Sequence, residues 1–62
     1  MKEEFNEGDR VFIRWKGGNS GEYTLVKGES HHSHLWYTLD SVGNINYNGG
    51  RVFEDTEVVE KL

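Results

Sequence analysis

Hydrophobic and polar side chains alternate along residues 10–16. Val11, Ile13 and Trp15 fall on one face of an extended chain, and basic side chains together with Phe12 fall on the other. This is the two-residue period of a strand with one buried face, and β-branched Val and Ile suit a pleated surface. A Gly-Asp turn precedes the segment and a Gly-Gly pair follows it, so the pattern predicts a first strand bounded by turns.

Four more segments have the character of short strands: residues 22–27, 35–40, 45–47 and 58–62. Glycine-containing loops separate them, as in a series of strands joined by turns. Residues 22–27 carry apolar groups on both faces, which fits a strand that bends across two sides of a small barrel. The spacing predicts an all-β domain over residues 7–62, with residues 1–6 as a lead-in.

The alternation in the third predicted strand, residues 35–40, predicts on which face Trp36 lies. Alternation places Leu35, Tyr37 and Leu39 on one face and Trp36 on the other. If the leucine face is buried, Trp36 lies outside, where a large aromatic side chain marks an interaction surface or covers the open edge of the barrel. The sequence leaves both interpretations open.

Side chains near both ends of the chain are expected to close the core. We expect Phe53 to plug one end, Phe5 to cap the bottom, and one valine of the pair Val58-Val59 to pack inward with Leu62. Residues 54–57 interrupt the strand pattern. They predict a short 3₁₀ turn before the last strand, because such turns serve as connectors.

Composition supports the all-β class and indicates the number of domains and the cellular compartment. The chain has 62 residues and no cysteine, proline or alanine. The length allows one domain, the lack of cysteine excludes disulfides and indicates the cytoplasm, and the lack of alanine disfavours helices. No apolar run approaches the ~20 residues of a membrane span, and residues 1–4 lack the apolar core of a signal peptide. We therefore expect no membrane partner.

The formal net charge of -4 argues against general nucleic-acid binding, which draws its affinity from phosphate contacts. The charge is unevenly spread, because residues 10–28 are basic and both ends are acidic. One interpretation is solubility, with pairing between neighbouring strands. The other is a basic patch that meets an acidic partner. That patch would consist of Arg10, Arg14 and Lys16 beside Phe12.

Three histidines, His31, His32 and His34, share one polar loop. Imidazole binds transition metals, but a zinc site needs three or four ligands in suitable geometry, and we predict a solvated loop without metal. The glycines of residues 17–21 precede a strand instead of the helix that a phosphate loop needs, so no cofactor is expected. With no cysteine nucleophile and no volume for a buried substrate pocket, the sequence predicts no catalytic residues and no enzyme.

The order of these features resembles the SH3-like barrel group, which includes KOW and Tudor-type modules. The resemblance rests on four pieces: Gly8-Asp9-x-Val11-x-Ile13, the glycine loop before strand two, the Leu-x-Tyr-x-Leu strand, and Val52-Phe53 followed by Glu57-Val58-Val59-x-x-Leu62. It implies a five-stranded SH3-like barrel and a binding role, not a reaction.

The resemblance also implies two kinds of ligand. Tudor-type members hold modified side chains in an aromatic cage through cation–π attraction, and KOW-type members meet RNA and the transcription machinery. The aromatic residues available for a cage are Trp15, Tyr23, Trp36 and Tyr47.

We therefore predict a small non-enzymatic binding module, of the kind found among bacterial or phage accessory proteins, that docks onto a protein partner through exposed aromatics. The alternative is a nucleic-acid-associated module that uses the basic and aromatic face of strand one. We expect a monomer or a weak homodimer joined through an edge strand. The predicted partner-binding residues are Phe12, Arg14, Trp15, Lys16, Trp36 and Tyr47.

Overall fold

A computed structural model describes residues 4–62 of the chain. This part consists of the strands β1 (Arg10–Trp15), β2 (Ser20–Lys27), β3 (Trp36–Leu39), β4 (Ile45–Asn46) and β5 (Thr56–Lys61). Two 3₁₀ turns lie at Ser30–His32 and Tyr47–Gly49, and residues 4–62 contain no α-helix. The all-β prediction is confirmed. The predicted lead-in lies partly outside the described residues, since residues 1–3 are not among them.

The strands form one antiparallel sheet in the order β4-β3-β2-β1-β5. The long strand β2 pairs with β1 through its first half and with β3 through its last residues. It therefore connects the two halves of the sheet, as its apolar groups on both faces suggested. Within the described chain β4 and β5 are the two edges, and the sheet is not closed into a barrel.

The core lies against the predicted inner face of β1. Val11 and Ile13 are completely buried together with Leu25 and Val52. Trp15 is half-buried and packs against this cluster. Alternation along β1 thus identified the buried face, because side chains two residues apart on a strand lie on the same side.

The predicted core face of β3 is wrong in part. Leu25 lies opposite Thr38, and directly opposed residues put their side chains on the same face of a sheet. Thr38, 1% exposed, therefore lies on the core side, and Trp36 shares that side and packs against the core cluster. Tyr37 is buried as well, 4% exposed, but on the opposite face, against Tyr47 and His32.

The C-terminal segment closes the core in a different way from the one expected. Residues 53–55 form a turn and bend rather than a 3₁₀ turn, and the 3₁₀ turn that precedes β5 lies at Tyr47–Gly49. Val59 packs against the core, whereas Leu62 is 66% exposed, so its predicted burial is wrong. Phe53 is 42% exposed, and its ring lies edge-on to the rings of Phe5 and Trp36.

Candidate functional site

An open cavity of about 480 Å³ lies at the end of β1 where Trp15 stands. We call it the Trp15 pocket. Its walls come from the β1–β2 hairpin, from β3 and β4, and from the turn before β5. The lining residues on which its chemistry depends are Trp15, Lys16, Tyr23, Thr38, Asn46 and Asp55.

Two aromatic rings form one wall of the Trp15 pocket. Tyr23 lies opposite Val11 in the β1–β2 ladder, so it shares the inner face with Trp15, four residues along β1. The ring centroids of Trp15 and Tyr23 are 5.8 Å apart and the rings are nearly perpendicular, at 83°. The indole Nε1–H donates a hydrogen bond to the Tyr23 hydroxyl at 3.2 Å. This bond fixes both rings in an edge-to-face arrangement.

The lining of the Trp15 pocket also includes the carboxylate residue Asp55. Asp55 Oδ2 accepts a hydrogen bond from the backbone N–H of Arg51 at 2.8 Å, and its carbonyl accepts one from the N–H of Lys16 at 3.0 Å. These bonds tie the turn to the end of β1. Gly50 lets the backbone of this turn lie close to the Trp15 ring. Its φ is +102°, and a Cβ at this position would lie 3.2 Å from the ring.

The charged side chains that line the Trp15 pocket are Lys16 and Asp55. The Lys16 ammonium donates to the Glu54 carbonyl at 3.0 Å and is thereby held by the backbone. Aromatic faces attract cations, and a carboxylate beside them adds to that attraction. The aromatic rings and the Asp55 carboxylate therefore attract a cationic head group, and the Lys16 ammonium in the same lining opposes this attraction.

A second open cavity, of about 580 Å³, adjoins the first. Tyr23 and Asn46 line both cavities. The second one extends along the sheet to Arg10 and Glu22 on one side and to the turn at Asp40 and Ser41 on the other.

The six predicted binding residues do not form one site. Trp15 and Lys16 line the Trp15 pocket, while Phe12 and Arg14 alternate with the buried residues of β1 and lie on its outer face. There Phe12 has Glu22 and Glu60 as its neighbours on the two adjoining strands. The predicted basic face is therefore interleaved with acidic residues, and Arg10 already pairs with Glu22 at 3.8 Å.

Trp36 lies at the opposite end of the sheet from the Trp15 pocket. Its ring is edge-on to Phe53 at 6.4 Å, and Phe53 in turn contacts Phe5 at 5.2 Å. The Lys27 ammonium lies 4.9 Å above the Trp36 ring. We call Phe5, Trp36 and Phe53 the closing cluster, because their rings cover this end of the core.

Tyr47 belongs to a further group of rings on the outer face of β3. It lies 4.8 Å from Tyr37 and 5.4 Å from His32, and its hydroxyl accepts a hydrogen bond from the N–H of Glu29 at 2.9 Å. In the part of the chain that the structure describes, no group of three histidine or carboxylate side chains is placed to hold a metal ion. His32 packs on tyrosines instead.

Among the lining residues of the Trp15 pocket that were not predicted as binding residues are Thr38, Asn46 and Asp55. They come from segments distant in sequence, and no local pattern marks them. Tyr23 was named among the aromatic residues available for a cage, and the β1–β2 ladder places it on the same face as Trp15.

Comparisons of the chain with protein-family models, with curated proteins and with solved structures found no match. Among residues 4–62 there is no helix of the length and apolarity needed to cross a membrane.

Proposed function

We propose that the protein is a small non-enzymatic binding module that docks onto a protein partner through the Trp15 pocket. One observation carries the proposal: Trp15 and Tyr23, joined by a hydrogen bond, line one open cavity together with Asp55.

The ligand we propose is an extended segment of the partner with a basic side chain. The second cavity, which shares Tyr23 and Asn46 with the Trp15 pocket, supports an extended segment, because it gives neighbouring residues a surface. The aromatic wall and Asp55 support a lysine or arginine in the Trp15 pocket. Only one of the two Asp55 carboxylate oxygens accepts a hydrogen bond within the described chain, so the other is available to the ligand.

The finer fold assignment that goes with this function is an SH3-like barrel left open along one side. Its support is the position of β1 between β2 and β5 and the shared use of β2 by both halves of the sheet. The open side lies between β4 and β5, the two edges of the sheet, and the Trp15 pocket is lined from both sides of that gap by Asn46 and Asp55.

The nucleic-acid alternative stays a prediction that the geometry does not favour. Its residues on the outer face of β1 have Glu22 and Glu60 directly beside them, and like-charged phosphates would be repelled there. The lack of cysteine supports the cytoplasm as the place where the module works.

A display selection with random-sequence peptides tests the proposed function. We expect the selected peptides to contain a lysine or arginine, and replacing that residue with glutamine should abolish binding. Asp55→Asn keeps an oxygen that accepts the Arg51 N–H but removes the charge. This variant should bind the selected peptide about tenfold more weakly.

The matched control is a pair of tyrosine variants. Tyr23→Phe removes the hydroxyl that orients Trp15 and should weaken binding, whereas Tyr47→Phe makes the same chemical change away from the pocket and should not. Selected peptides that lack a basic residue, or that bind wild type and Asp55→Asn equally well, would contradict the proposal. A selection that yields no binder would do the same.

A further inference from the structure

The first half of β2 lacks a neighbouring strand on one side. Residues 20–24 pair with β1, whereas β3 pairs with residues 25–27 alone. β3 ends at Leu39, and Asp40 then donates its N–H to the Asn44 carbonyl at 2.8 Å in the turn toward β4. In the described chain no strand continues alongside residues 20–24 on the side away from β1. This stretch is therefore a sheet edge.

Glu22 turns its backbone groups toward this edge. Leu25 donates its N–H to the Asp9 carbonyl at 2.8 Å, so the backbone of Leu25 faces the β1 side. Gly28 donates its N–H to the Leu35 carbonyl at 3.0 Å, so the backbone of Gly28 faces the β3 side. Backbone groups of a strand alternate in direction, and the register is unbroken along β2 in both ladders. The N–H and the carbonyl of Glu22 therefore face away from β1, into the unpaired side.

Both cavities described above border this edge. Tyr23 lines both of them, and Glu22 lines the second. The charged side chains in the two linings are Arg10, Lys16, Glu22, Asp40 and Asp55. Carboxylates thus outnumber cations, and Arg10 already lies 3.8 Å from Glu22. The edge is therefore complementary in charge to a segment that carries a basic side chain.

We propose that the ligand adds to β2 as an antiparallel strand, with its backbone hydrogen-bonded to Glu22 and its basic residue opposite Tyr23. This inference rests on the proposed function, because it concerns the same basic segment. Directly opposed residues put their side chains on one face of a sheet, and Tyr23 shares its face with Trp15. A basic residue opposite Tyr23 therefore directs its side chain toward the Trp15 pocket.

The antiparallel direction fixes which ligand residue bonds the protein. Every ladder of the described sheet is antiparallel, and a ligand strand beside β2 continues that arrangement. The residue that follows the basic one then lies opposite Glu22. There it donates its N–H to the Glu22 carbonyl and accepts the Glu22 N–H.

Backbone methylation of a selected basic peptide tests this pairing. N-methylation of the residue after the basic one removes the N–H that bonds the Glu22 carbonyl, and it should weaken binding about tenfold. N-methylation of the basic residue itself is the matched control, because its N–H faces away from β2 in an antiparallel pair. It should leave the dissociation constant within about twofold of the parent peptide in calorimetric titration.

Glu22→Pro makes the corresponding change in the protein. Proline removes the outward N–H of residue 22, and a strand edge tolerates proline where its N–H faces solvent. Glu22→Ala is the control, since it loses the carboxylate near Arg10 but keeps the N–H. We expect Glu22→Pro to bind the peptide about tenfold more weakly than Glu22→Ala. The peptide experiment uses the wild-type chain, so it decides the matter if Glu22→Pro fails to fold.

The outcomes separate this inference from the proposed function. A peptide whose binding depends on Asp55 but tolerates methylation of the residue after the basic one would overturn the strand pairing alone. Equal losses from the two methylated peptides would overturn the antiparallel register. A selection that yields no basic peptide would overturn both the pairing and the proposed function. A loss confined to the residue opposite Glu22 would support the pairing.

Discussion

The two ends of the sheet use aromatic side chains for opposite purposes. At one end the closing cluster of Phe5, Trp36 and Phe53 covers the core with rings in contact. At the other end Trp15 and Tyr23 stand at right angles beside an open cavity. Both tryptophans are half-buried and both pack against the same apolar core. What differs is the space in front of the ring, and that depends on segments far away in sequence.

The closing cluster is held in place at a cost to the backbone. Phe53 has a φ of +77°, in the left-handed region that bulky residues rarely adopt. Its N–H donates to the Thr56 hydroxyl at 3.0 Å, which supports this conformation. At the open end, the residue beside Trp15 that has a positive φ is Gly50. Because glycine has no Cβ, this conformation carries no such strain. The strain therefore lies where the chain closes its core and not at the proposed binding pocket.

The largest loss of stability is expected from replacing Trp36. Trp36→Ala should lower the free energy of unfolding by about 3 kcal/mol, the lower end for a buried aromatic residue, because the ring is half-buried. That is a large share of the stability of so small a domain. Urea unfolding followed by circular dichroism measures it, with the exposed Val42→Ala as the control. An unchanged midpoint with lost partner binding would instead make Trp36 an interaction residue.

The next largest loss of stability is expected from a substitution in the loop beside the closing cluster. A Cβ at Gly28 would lie 2.6 Å from both the Cβ and the carbonyl oxygen of His32. Gly28→Ala should therefore displace the 3₁₀ turn from Tyr37 and cost about 1–3 kcal/mol. Gly17→Ala is the matched control, since nothing lies within 4 Å of a Cβ there. Equal unfolding midpoints for the two variants would show that the turn does not pack as described.

A smaller effect is expected from the hydrogen bond that supports Phe53. Thr56→Val keeps the shape of a buried side chain but removes the oxygen that accepts the Phe53 N–H. We expect a loss of about 1–2 kcal/mol from the unpaired donor. Thr24→Val removes a hydroxyl that bonds the exposed Arg10 guanidinium and should change stability by less than about 0.5 kcal/mol. Thermal unfolding of both variants makes the comparison, and equal shifts would contradict it.

The smallest change in stability is expected at the open end. Tyr23→Phe loses one half-buried hydrogen bond to the Trp15 indole and should cost less than about 1 kcal/mol. The same variant should clearly weaken binding of a selected peptide. A large loss of stability would show that the Trp15–Tyr23 pair is part of the core and not of a binding site.

Sequence patterns predicted the local features of this fold well. The alternation along β1 identified Val11 and Ile13 as buried, and the glycine-containing turns separated the strands near their observed limits. These features depend on neighbours in the chain. The face of β3 was predicted less well, because Leu35 and Leu39 flank Tyr37 in a pattern that looks like a core face. The pairing of Leu25 with Thr38 overrides that pattern.

The candidate site could be predicted only in part for the same reason. Trp15 and Lys16 were identified from the character of β1, and they line the pocket. Asp55 comes from a turn that looked like a simple connector, and Asn46 comes from a two-residue strand. Their position depends on how the last part of the chain returns to β1. No periodicity within a segment encodes that return.

The most direct test follows the two indole N–H signals in one ¹⁵N–¹H correlation spectrum during titration with a selected basic peptide. Trp15 and Trp36 give one signal each and report on the two ends of the sheet. Our account predicts that the Trp15 signal, whose N–H is bonded to Tyr23, shifts with peptide concentration while the Trp36 signal stays in place. A Trp36 signal that shifts while that of Trp15 remains unchanged would contradict it and assign binding to the closing cluster.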